Sequence, residues 1–285
     1  MFALNLRVWQ VYRSSTQEVH FCIIDEAHVL LVDGWELLLC TFESSPDPAA
    51  PRSSAPRTRV LMRQLRIPLE MPSNYLRVRC AFQSQPVPFP DCSPPFTRDP
   101  LKTLLAITYY PRRIVRAEER VAYLLLIPTA TLFSVARDPS DKARVPWAAW
   151  GAEGARILTF RGARWFPSVM SELDVVVAGA RAAVRVPPAG QFDRCAATEV
   201  LFLDCHAHAQ AGPWAPGRHS WNVSRAALAE EGVFIEGEDA GGAGGLPLRV
   251  TRRRFDFTDD VTCRGVGDVF GLKVRATYML SLSDG

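Results

Sequence analysis

The pair Asp33-Gly34 sits between two short apolar runs, HVLLV (28–32) and WELLLCTF (35–42). Asp-Gly in that setting is a strong hairpin signal, because the tight turn needs positive φ at its central residues. A third run, VHFCII (19–24), stands before them across the polar break Asp25-Glu26-Ala27. Three short strands joined by tight turns make an antiparallel meander. With Leu4 to Val11 as a further strand, this is the content of one propeller blade.

The rest of the chain repeats the pattern. Strand-like runs occur at 59–68, 75–82 and 101–110, and at 121–136, where Pro128 removes a ladder donor and splits the run into two expected strands. They resume as ARILTF (155–160), RWF (164–166), DVVVAG (174–179), RAAVRVP (181–187), EVLFLDC (199–205), LPLRVTRRRFDF (246–257) and FGLKVRATYMLSL (270–282). Loops fall at 44–58 (Pro/Ser/Ala-rich), 85–100 (Pro-rich) and 237–245 (Gly and acidic). Few windows carry a helical period, and only Ser224 to Glu231 reads as a short helical turn. Strands without intervening helices predict an all-β fold: an irregular or incomplete β-propeller, WD40-like, of antiparallel meander blades. One domain spanning 1–285 is expected, with material for about four blades. Either the chain is a truncated gene product or its blades are irregular and more numerous than this count; an opening inside a strand pattern favours truncation.

A length of 285 residues, 48% hydrophobic, supports a core without disulfide or metal staples. The net charge of +3 is too small to point to nucleic acid or a membrane. Lysine appears only at 102, 142 and 273, so arginine supplies most of the basic charge. Seven cysteines without a CxxC pair, several inside apolar runs, favour a reducing compartment. Residues 2–13 carry Arg7, Gln10 and Arg13 where a secretory leader would be apolar. The longest apolar stretch, 121–135, is too short to span a bilayer and contains Pro128. The sequon Asn222-Val223-Ser224 carries little weight beside these features. An intracellular protein, cytoplasmic or nuclear, is expected.

Several motifs imitate chemistry. Ile23-Ile24-Asp25-Glu26-Ala27-His28 spells the DEAH box of helicases, and Thr129-Ala130-Thr131 resembles a second motif of the same enzymes. No phosphate-binding G-x-x-x-x-G-K-[ST] loop accompanies them, and a hairpin follows the box where a helix should. The tetrapeptide reads as a turn. Cys205, His206 and His208, with His219 further on, could hold a metal if 205–208 were a strand, since His206 and His208 would share a face. Beside AQAGPWAPG they read instead as solvated loop histidines. Gly241 to Gly245 lacks the lysine of a phosphate loop, and Arg252-Arg253-Arg254 reads as a solvated strand edge guarded against pairing. Of the five tryptophans between 147 and 221, Trp147, Trp150 and Trp165 read as packing between blades at strands and turns. Trp214 and Trp221 leave packing and an exposed binding face both open.

The stretch Val145 to Arg156 contains Pro146-Trp147-Ala148-Ala149-Trp150-Gly151, then Arg156, Ile157 to Phe160 and the turn Arg161-Gly162. This Pro-Trp-x-x-Trp-Gly-x-x-x-x-Arg phrase resembles the C-terminal, propeller-like regions of mushroom-type fungal F-box proteins. Phe21 to Glu26 followed by His28 to Leu31 resembles their repeated blade phrase. Asp259-Asp260 before a last strand is similar too, although Cys263-Arg264-Gly265-Val266 stands where a Leu-Pro-Tyr-like phrase belongs. The resemblance covers about two-thirds of the chain diffusely and is specific only at 145–162. It implies the substrate-facing part of a ubiquitin-ligase component, without the helical F-box that docks the scaffold.

The sequence therefore predicts a non-catalytic protein-interaction module with no cofactor, no metal and no catalytic residues. Its partner is a protein, not nucleic acid or membrane, and the chain is monomeric unless open blade edges associate. The alternative is a metal-dependent enzyme using Cys205, His206, His208 and His219.

Overall fold

The structure, a computed structural model, describes residues 20–33, 36–45, 57–68, 76–82, 103–111, 120–140, 143–166, 172–186, 198–205, 220–235, 246 and 248–255. In chain order the first strands are β1 (His20–Ile23), β2 (His28–Asp33), β3 (Glu36–Ser45), β4 (Arg57–Arg66), β5 (Leu76–Phe82), β6 (Leu104–Pro111) and β7 (Val121–Pro128). Helix α1 (Thr129–Arg137), β8 (Arg144–Val145), helix α2 (Trp147–Gly154) and β9 (Arg156–Arg161) follow. Then come β10 (Val175–Ala178), β11 (Arg181–Val186), β12 (Thr198–Asp204), β13 (Ser220–Asn222), helix α3 (Arg225–Glu230), β14 (Val233–Ile235) and β15 (Arg249–Phe255).

The strands form three five-stranded sheets, none closed. The first runs β1-β2-β3-β4-β8, the middle one β5-β6-β7-β9-β14, and the third β10-β11-β12-β15-β13. Every pairing is antiparallel except β4 with β8. Each sheet therefore opens with a meander, and the expected all-β class holds.

Two apolar cores separate the layers. One lies between the first and middle sheets and takes in Leu30, Leu39 and Leu65 on one side and Ile107, Leu125 and Ile157 on the other. The second lies between the middle and third sheets, with Ala106, Leu124 and Phe160 facing Val184, Leu201 and Leu203. The middle sheet is thus covered on both faces, and its strands read as unbroken apolar runs, LLAITYY and VAYLLLI. In β11, by contrast, alternate residues are buried, as the two-residue side-chain period requires. The starting strands of the three sheets lie together, β5 touching both β1 and β10.

Three sequence expectations need correction. The run 121–136 is one strand and one helix rather than two strands: Pro128 is the N-cap of α1. A proline has no N–H to leave unsatisfied there. Thr129, Leu132, Phe133 and Ala136 then repeat at helical spacing, and Leu132 and Phe133 enter the first core. Arg164-Trp165-Phe166 is not a strand; residues 163–165 form a turn opened by Gly162 at φ 92°. Trp147 and Trp150 lie on helix α2, not at strand ends. The short turn expected at 224–231 is helix α3, whose N-cap Ser224 accepts from the Ala227 N–H at 3.2 Å. The expected strands at 4–11 and 270–282 lie outside the described residues, as does most of each expected loop.

Candidate functional site

The DEAH-like tetrapeptide is a side-chain-capped turn. Asp25 Oδ1 accepts from the Ala27 N–H at 2.8 Å and the His28 N–H at 2.7 Å, and lies 2.8 Å from His28 Nδ1. An aspartate two and three residues before the amides it caps is well placed to replace a backbone turn. The Ile24 N–H closes the loop on the His28 carbonyl at 3.0 Å. The His28 ring then meets Phe133 of α1 edge-on at 5.1 Å. One aspartate oxygen thus sets the β1–β2 connection and positions a histidine against the core.

Thr129 and Thr131 also serve packing. Thr129 Oγ1 lies 2.9 Å from Thr103 Oγ1 and donates to the Thr103 carbonyl at 3.1 Å, fully buried. Thr131 donates to the Gly154 carbonyl at 2.6 Å, joining α1 to α2.

Of the expected metal set, Cys205 lies at the end of β12 with its side chain in the second core. His206, His208 and His219 lie outside the described residues. Burial, with the Asp204 carboxylate beside it, pushes the Cys205 thiol up to about 12. A thiol so reluctant to ionise is a poor ligand and a poor nucleophile. Burial likewise holds Cys40 at about 11.

The Pro-Trp-x-x-Trp-Gly phrase has a local explanation. Pro146 is the N-cap of α2. Trp150 is buried in the first core and its Nε1–H donates to the Arg66 carbonyl at 3.2 Å, tying the helix to β4. Trp147 meets Trp150 edge-on at 4.9 Å and covers Gly151, where an added Cβ would lie 2.1 Å from its ring. Gly151 is therefore fixed by the tryptophan above it. Arg156 is almost fully buried and donates to the Ala155 carbonyl at 3.4 Å; desolvation lowers its pKa.

Among the described residues the densest charged cluster joins the middle and third sheets, and no sequence motif marks it. Arg252 of β15 has a side chain 8% exposed. Its Nη1 lies 3.5 Å from Glu199 Oε2 on the neighbouring β12, and its Nη2 pairs with Glu231 at the end of α3. Arg164 Nη2 approaches Glu231 at 3.6 Å. The Glu231 carbonyl accepts from Trp165 Nε1–H at 2.8 Å, and Trp165, fully buried, stacks edge-on against Phe160 at 4.7 Å. The expected solvated edge at Arg252-Arg253-Arg254 is thereby corrected. β15 lies between β12 and β13, and alternation sends Val250 and Arg252 inward while Arg253 stays on the outer face. Carboxylates 53 and 21 positions away make this burial possible, and no local sequence signal marks them.

Among the described residues, no group of three His, Cys, Asp or Glu side chains is placed to hold a metal ion. Nor is any helix among them long and apolar enough to cross a membrane. No protein-family model matches the chain, and no curated protein or solved structure matches it either.

Proposed function

We propose that the chain is a non-catalytic, intracellular protein-interaction module built as a partial propeller. On this reading it is the substrate-recognition part of an F-box, ubiquitin-ligase-type protein. The architecture draws support from three successive meanders in which β5, the first strand of the middle one, touches the first strands of the other two, β1 and β10. Blades of a propeller start at a common axis in this way. The non-catalytic part draws support from how the polar residues are used. Asp25, His28, Thr129, Thr131 and Arg252 are each engaged in turns, helix joins or ion pairs. The Pro-Trp-x-x-Trp-Gly phrase supplies the link to F-box proteins.

Chemical cross-linking of the folded chain in extract, followed by mass spectrometry, tests the reading. A discrete protein partner, cross-linked through the inter-strand loops, is expected. Absence of any protein partner, together with stoichiometric metal or turnover of a small substrate, would overturn it.

A further inference from the structure

We draw no further inference here: the strongest candidate, the outer face of the third sheet, where Arg181, Arg185, Arg249 and Arg253 surround Phe202, carries nothing, because Arg181 and Arg249 already engage Asp204 and Asn222 and nothing in the structure shows what covers the face.

Discussion

Replacing Arg252 by methionine should destabilise the protein more than any exposed arginine substitution. The side chain is 8% exposed and meets two carboxylates, Glu231 at 16% and Glu199 at 29% exposure. Methionine keeps most of the packing volume but leaves both carboxylates without their shared cation. Removing one partner of a buried pair costs about 3–5 kcal/mol. Arg164 still lies 3.6 Å from Glu231, and Glu199 is partly solvated, so the lower end applies. About 3 kcal/mol corresponds to a Tm lower by roughly 6–12 °C in a protein of this size. Glu231→Gln in the methionine background removes the stranded charge and should return at least 1 kcal/mol, a coupling visible in a double-mutant cycle followed by urea unfolding. Arg252→Met within 0.5 kcal/mol of wild type, or strictly additive costs in the cycle, would refute the network as an element of stability.

Three further outcomes are expected. Asp25→Ala should cost about 1–2 kcal/mol through the lost turn bonds, while Asp25→Asn keeps an acceptor oxygen and most of the stability; equal losses in urea titrations would contradict the capping role. Gly232→Ala should cost about 3 kcal/mol or more. Gly232 lies at φ 79°, and its added Cβ would sit 2.3 Å from the Arg161 carbonyl oxygen, a backbone atom of the adjoining strand; a melting point within 2 °C of wild type would count against it. Cys40 and Cys205 should resist alkylation in the folded chain at pH 8 and react after unfolding. Their folded pKa values, about 11 and 12, lie above the ordinary 9.0, so the stability they contribute is complete below pH 9 and is lost as pH rises through those values. Peptide mapping that finds either residue labelled in native protein at pH 8 would contradict this.

Strand signals were legible in the sequence wherever a local rule sufficed. The Asp33-Gly34 break placed the hairpin but not its register: Asp33 is the last paired residue of β2, opposite Glu36, rather than a central turn residue with positive φ. Asp25 announced a turn because its carboxylate reaches amides only two and three residues on. Helix α2 was missed because it is eight residues long and rich in alanine and tryptophan, with too few polar positions to show a period. Helix α1 was missed because Pro128 ends a strand and starts a helix equally well. The Arg252 cluster was read as a solvated edge because its arginine run looks the same whether the strand is outermost or internal.

By itself the sequence determined the β class, the order of the strands and which residues alternate between faces, since these depend on neighbours one to four positions away. Tertiary structure decided the rest. It made the middle sheet a two-faced layer, and it gave β15 a neighbour on each side and so buried Arg252 against Glu231. Those outcomes depend on which distant strands pack together, and burial of a side chain is fixed by what lies across from it, not by what precedes it in the chain.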